Sequence, residues 1–214
     1  MTTTVILGGG FGGLACARTL RARLPEAHRI VMVDRASHFL VGAAKTWVML
    51  GERRGDEVVR PRAGLLPPGV TLLEAEVRGI DGAHRQVETD RGTLEADHLV
   101  LALGADLDMG AVPGLAESAH SFYALDDAVR LRDALQTLDG GRVAMLVARA
   151  PFKCPPAPYE AAMLLHHHLV RRDIWRSISS SRCRRIGRPA SWCGPVSPSP
   201  GVDRRRRRHA SGEA

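Results

Sequence analysis

Aromatic residues make up only 4% of this 214-residue chain, so its core has to be built from valine, leucine, isoleucine and alanine. The four cysteines, at 16, 154, 183 and 193, form no C-x-x-C, and no cysteine–histidine spacing suits a zinc site. No apolar run reaches the roughly 18 residues that a membrane-spanning helix needs. The N-terminus has neither a basic stretch nor a long apolar segment, because Met1-Thr2-Thr3-Thr4 leads straight into Val5-Ile6-Leu7. These absences argue against a disulfide scaffold, a zinc protein and a secreted or membrane-spanning one. They predict a cytoplasmic protein with reduced thiols.

The body of the chain also lacks a charge excess. The total is +7, but from Arg171 onward twelve arginines face three acids, a balance of +9, which leaves −2 for the first 170 residues. Basicity therefore belongs to a tail. That tail is rich in Arg, Ser and Pro, has five consecutive arginines at 204–208 and shows no hydrophobic periodicity. It predicts disorder. With no interleaved aromatics and no recognition motif, it predicts no specific nucleic-acid binding.

The body does contain glycine, placed with a pattern. Val5-Ile6-Leu7 is a buried-strand run that stops at Gly8-Gly9-Gly10-Phe11-Gly12-Gly13. Leu14, Ala17, Leu20 and Leu24 then fall on one helical face, and Ile30-Val31-Met32-Val33 forms a second strand closed by Asp34. Gly8, Gly10 and Gly13 fit G-x-G-x-x-G. Such glycines permit a tight turn, close backbone approach to a pyrophosphate, and close packing of helix on strand. The helix N-terminus then offers N–H groups to the phosphates. Asp34 lies 21 residues after Gly13, where a carboxylate can accept hydrogen bonds from an adenosine ribose. A carboxylate there disfavours a 2′-phosphate, although Arg35 beside it softens that preference.

Further strands are predicted at 70–77, 85–89, 93–95, 98–103 and 142–147. Helices are predicted after Asp126-Asp127, which read as an N-cap, and over 159–170. Residues 39–60 read as loop with a short helix, and Trp47 in that stretch as core or as packing near a cofactor. Cys16 reads as core. His166-His167-His168 point around a helix and cannot converge on one ion, so no metal site is predicted.

The N-terminal glycine loop, followed much later by the strand Leu99-Val100-Leu101-Ala102-Leu103-Gly104 and then Pro113-Gly114, resembles flavoproteins with two dinucleotide-binding domains. The cofactor this implies is FAD. The loop, the run Gly42-Ala43-Ala44-Lys45-Thr46-Trp47-Val48-Met49-Leu50-Gly51 and the stretch Phe152-Lys153-Cys154-Pro155-Pro156-Ala157-Pro158-Tyr159-Glu160 together resemble the sulfide:quinone oxidoreductase and flavocytochrome c sulfide dehydrogenase group. Type II NADH dehydrogenases are wider relatives. The resemblance covers residues 1–170.

It implies an α/β fold: a Rossmann-type FAD domain over 1–112 with a small antiparallel insertion, then the start of a second dinucleotide-binding-like domain over 113–170. Residues 171–214 would be the basic tail. For the site it implies Gly8, Gly10, Phe11, Gly12, Gly13, Asp34 and Arg35 at the cofactor, with Val77 at adenine and Ala102 and Gly104 toward the flavin. Cys154 matches the redox cysteine, and its place beside Lys153 and ahead of a helix suits a nucleophilic sulfur. The implied donor is a small sulfur compound. The implied acceptor is a quinone or cytochrome, with peripheral contact to the inner face of a membrane in full-length members.

Two departures stand out. Residues 149–158 hold no glycine, which disfavours a nicotinamide nucleotide. The later Gly-Asp motif and partner cysteine of the family have no counterpart, which predicts a shortened or frameshifted chain whose tail is an out-of-frame reading. The alternatives are an NADH:quinone oxidoreductase of the type II class and a fragment with weak or no FAD binding.

Overall fold

The computed structural model of the chain describes residues 2–174 and the strand Ile178–Ser181. Two compact units divide it, Met1–Asp139 and Gly140–Ala214. The first unit runs Thr3–Leu7 (β1), Phe11–Arg23 (α1), Arg29–Asp34 (β2), His38–Leu40 (β3), Lys45–Met49 (α2), Val59–Pro61 (β4), Val70–Glu74 (β5), Val77–Asp81 (β6), Gln86–Thr89 (β7), Gly92–Glu95 (β8), His98–Leu101 (β9), Leu115–Ser118 (α3) and Leu125–Gln136 (α4). It is the α/β, Rossmann-type unit that the sequence predicts.

Its centre is a four-stranded parallel sheet in the order β5-β2-β1-β9. The side chains of β1 and β2 alternate between two faces, as a period of two requires. Val5, Leu7, Val31 and Val33 join Ala75 and Val87 on one face. Ile6, Ile30 and Met32 join Ala17 on the other. α1 covers the second face, bringing Leu14, Ala17 and Leu20 onto it, with Cys16 packed beside them. The antiparallel sheet β6-β7-β8 covers the first face through Val87 and Leu94. Because both faces are covered, β1 and β2 read as unbroken apolar runs. Val5, Ile6, Leu7, Met32 and Val33 are completely buried, each contributing about 1.5–3 kcal/mol.

Several local expectations shift. The strand expected at 70–77 is two strands, since Ala75 turns inward to the core and Ala75 N–H bonds to the Asp34 carbonyl at 3.1 Å. The stretch expected as loop with a short helix, 39–60, also holds the antiparallel pair β3–β4, with α2 in the connection between the two strands. α4 begins at Leu125, one residue before the two acids that the sequence predicts as its cap. Asp126 and Asp127 therefore sit inside the first turn and act on the helix dipole instead of capping. Trp47 is half exposed, while Val48 and Met49 fill the core.

The second unit holds Val143–Leu146 (β10), Ala157–Arg171 (α5) and Ile178–Ser181 (β11). β10 and β11 pair in parallel, giving a βαβ arrangement. α5 buries Ala161, Leu165 and Leu169, spaced four apart on one stripe. β11 falls inside the segment expected to be disordered. Its main chain finds the β10 ladder, a partner that local composition does not announce. The rest of the predicted tail, with Cys183, Cys193 and the arginines 204–208, lies outside the described residues.

Candidate functional site

The sheet order places β1 between β2 and β9, so the chain leaves β1 on one side and returns on the other. Ligands of open α/β sheets bind in the crevice at the carboxyl ends of strands where the order switches. Residues 8–13 occupy that end of β1. Gly8 has φ +99, and its N–H bonds to the Val33 carbonyl at 2.8 Å. A Cβ at Gly8 would meet the Ala102 carbonyl oxygen at 2.3 Å, and one at Gly13 would meet the Gly8 carbonyl oxygen at 1.8 Å. These two glycines are required by strand and helix packing. Gly10 differs: a Cβ there would meet nothing within 4 Å. The open side of the loop is therefore at Gly10, the N-cap of α1, whose carbonyl accepts the Leu14 N–H at 2.9 Å. The first turn of α1 carries no acidic residue, and Gly10 offers no side chain to cap its N–H groups.

Asp34, at the end of β2, faces the loop. Its Oδ2 accepts the Gly9 N–H at 2.6 Å and its Oδ1 the Ala36 N–H at 2.8 Å. Arg62, which sequence reasoning missed, lies against both. It follows β4 and is 5% exposed. Its Nε donates to the Gly9 carbonyl at 3.0 Å, and its Nη1 is 3.0 Å from Asp34 Oδ1. The Nη1 contact is an ion pair without hydrogen-bond alignment, so one buried donor group has no directed acceptor. Such a group is destabilising by about 1–3 kcal/mol unless something accepts from it. An orphaned donor beside an open, glycine-lined anion site fits a polyhydroxylated, phosphorylated ligand such as the ADP portion of FAD.

The other predicted residues fall in different places. Ala102 is held against the loop by its N–H bond to the Leu7 carbonyl at 2.7 Å, and its Cβ faces Gly12. Gly104 has φ +77. Phe11 is exposed and meets Phe39 edge-to-face at 4.9 Å. Arg35 is exposed and pairs with Asp106 at 3.6 Å. Val77 packs on the core face that holds Leu7 and Val33. Cys154 belongs to the second unit, is exposed, and has φ +55. Among the described residues no group of His, Cys, Asp and Glu could hold a metal ion, and no helix is long and apolar enough to cross a membrane.

Residues 2–174 match the family model for pyridine nucleotide-disulphide oxidoreductases. The chain belongs to that family. Members of the family and its quinone-reducing relatives bind FAD, in keeping with the cofactor the sequence implies. Three curated relatives are similar. Demethylphylloquinone reductase NdbB of Synechocystis is 37% identical over 143 residues, 63% of this chain and 35% of that protein. Sulfide-quinone reductase of Aquifex aeolicus is 30% identical over 173 residues, 79% of this chain and 40% of that protein. Alternative NAD(P)H-ubiquinone oxidoreductase C1 of Arabidopsis thaliana is 32% identical over 204 residues, 83% of this chain and 38% of that protein. The crystal structure of the Aquifex aeolicus sulfide:quinone oxidoreductase superposes with a TM-score of 0.72 at 29% identity, covering 81% of this chain and 41% of that one. The chain thus spans about two fifths of the length of the relatives it matches.

Proposed function

We propose that this chain supplies the FAD-binding part of an oxidoreductase that moves electrons from a small sulfur donor, such as sulfide, to a quinone or cytochrome. The observation that carries the reading is the turn between β10 and α5. It presents Cys154 exposed, and residues 149–158 contain no glycine. A dinucleotide phosphate needs close backbone approach, which this turn does not offer; sulfide needs none. A quinone acceptor is supported by the three relatives, all of which carry a quinone in their names.

In this reading the loop 8–13, with the N-terminus of α1, takes the pyrophosphate, and Asp34 takes the adenosine ribose. Phe11, Arg35, Val77, Ala102 and Gly104 complete the cofactor contacts. Bound FAD supplies a two-electron carrier between donor and acceptor. A bond between the Cys154 thiol sulfur and hydrosulfide would give a persulfide anion and release two protons and two electrons, which FAD, when bound, would accept for the acceptor. In net terms hydrosulfide, a proton and a quinone give zero-valent sulfur and a quinol, with two electrons passing from sulfur to quinone. A quinone acceptor also places the working protein at a membrane surface, in peripheral contact.

A second reading, an NAD(P)H:quinone oxidoreductase, is favoured by the similarity to the Arabidopsis enzyme. The visible spectrum of the purified chain, with and without added FAD, is the first test. A bound-flavin spectrum that bleaches anaerobically with sulfide, and does not in Cys154→Ala, supports the sulfur reading. Bleaching by NADH instead supports the second. Absence of bound flavin in excess FAD refutes both for this chain on its own and favours a non-catalytic fragment.

A further inference from the structure

We propose that Arg62 is a positioning residue for the adenosine ribose, acting through Asp34 to make the site read the ribose hydroxyls. The inference rests on the reading that residues 8–13 and Asp34 take the ADP portion of FAD, and it adds a residue that no glycine motif contains.

A guanidinium that is 5% exposed has lost most of its hydration. It needs compensation from charge and hydrogen bonds. Arg62 has two such partners, and both belong to the ligand-facing end of the sheet. Its Nε bonds to the Gly9 carbonyl at 3.0 Å and its Nη1 contacts Asp34 Oδ1 at 3.0 Å. The Gly9 N–H closes the ring by donating to Asp34 Oδ2 at 2.6 Å. Loop, carboxylate and guanidinium are therefore one unit, and none can turn without breaking a bond to another.

Gly9 is fitted to this arrangement. A Cβ on it would lie 2.4 Å from Cδ and from Nε of Arg62. Nη1 is buried against Asp34 Oδ1 at 3.0 Å, so the guanidinium charge is directed at the carboxylate that faces the loop. A planar fork can hold a carbonyl and a carboxylate at once, whereas an ammonium cannot reproduce that geometry. The Gly9 and Ala36 N–H groups each hold one oxygen of Asp34, and Arg62 adds the positive charge at Oδ1 that keeps the carboxylate in that orientation. A carboxylate held in one orientation distinguishes a ligand with ribose hydroxyls from one without them.

Calorimetric binding of ADP and of 2′,3′-dideoxyadenosine diphosphate to the full chain tests this, in wild type, Arg62→Lys, Arg62→Met and Asp34→Asn. Wild type should prefer ADP by about tenfold or more, the worth of hydrogen bonds to a charged group. Arg62→Lys and Arg62→Met should bring the preference close to one, as should Asp34→Asn. Adding Asp34→Asn to either Arg62 variant should change the preference no further, because residues acting as a unit are not additive. A purely structural arginine would lower affinity for both nucleotides equally and leave the preference intact. If Arg62→Met does not fold, Arg62→Lys decides the matter, since it keeps stem and charge. A folded Arg62→Lys with the wild-type preference overturns the proposal while leaving the FAD reading standing. A wild-type chain that binds neither nucleotide overturns both.

Discussion

Gly13 packs so closely on Gly8 that a Cβ at position 13 would lie 1.8 Å from the Gly8 carbonyl oxygen. Neither group is a flexible side-chain end; both belong to the junction of β1 and α1. Gly13→Ala should therefore lever the helix off the sheet, losing part of the contact of Leu14 and Ala17 with Ile6 and Met32. The expected destabilisation is about 3 kcal/mol or more, at the upper end for overpacking. Gly8→Ala should do similar harm, because its φ of +99 adds backbone strain to the clash with Ala102. Urea unfolding midpoints would measure both. A Gly13→Ala protein as stable as wild type is incompatible with this packing.

Gly10→Ala should behave in the opposite way. The position has extended backbone, with φ −78 and ψ −166, and open space where the Cβ would go. Stability of the FAD-free chain should fall by no more than about 1 kcal/mol, the advantage of glycine over alanine at an N-cap. FAD affinity, followed by flavin fluorescence, should fall at least tenfold, because the new methyl occupies the pyrophosphate's approach. Unchanged FAD affinity in Gly10→Ala would place the phosphate elsewhere. The contrast among glycines of one motif separates those serving the fold from the one serving the ligand.

Gly9→Ala should press on the buried arginine and destabilise the chain by about 1–3 kcal/mol. In an Arg62→Ala background the same change should cost much less, since Cδ and Nε, the nearest atoms, are gone. The coupling in such a cycle, read from unfolding midpoints, should be of order 1 kcal/mol or more for residues in direct contact. Additive costs would mean that Gly9 and Arg62 do not share space.

This pair also marks how far the sequence could be read. β1, α1 and β2 were legible because buried parallel strands are continuous apolar runs and the loop between them needs glycine. Asp34 was legible because a carboxylate ending the second strand has a fixed distance from the glycines. Arg62 was not, since burial of an arginine within Pro61-Arg62-Ala63-Gly64 follows from tertiary contact with a loop 53 residues away. The one local hint was Gly9 itself, the middle of three consecutive glycines, at a position the motif leaves open. The β3–β4 pair escaped for a related reason. Its strands, His38–Leu40 and Val59–Pro61, are too short to show alternation, and one of them contains a proline. β11 is a run of Ile and three serines, whose strand state comes from the β10 partner.

At the tip between β6 and β7, Asp81 should titrate below the ordinary carboxylate range. The cause is first the His84 N–H, then the His84 ring at 2.7 Å, with the Ala83 N–H adding to them. A carboxylate whose pKa is lower folded than unfolded contributes stability above its unfolded value. That contribution is lost as the pH falls through the folded value. The hairpin turn should thus hold at neutral pH and loosen only in acid, below about pH 4. Carboxyl chemical shifts of Asp81 would follow it. The titration should move back up toward the ordinary value in His84→Ala, which keeps the backbone donor but removes the ring. An unchanged midpoint in that variant would show that the backbone bonds alone hold the carboxylate.

Cys154 adopts φ +55, a left-handed conformation in which a side chain costs about 1–2 kcal/mol relative to glycine. The turn is held by its carbonyl, which accepts the Ala157 N–H at 2.9 Å at the start of α5. For fold alone glycine is the better residue there, so Cys154→Gly should raise stability by about 1 kcal/mol. If the sulfur is the donor-bonding atom, the same substitution should abolish anaerobic reduction of bound flavin by sulfide while leaving FAD affinity unchanged. Cys154→Ala should lose the sulfide reaction equally but gain no stability, because alanine keeps the strained side chain. The two variants together separate conformational from chemical effects. A strained side chain where glycine is better is the motive for proposing a role for the sulfur, and a Cys154→Gly protein that is more stable and still sulfide-reducible would exclude that role.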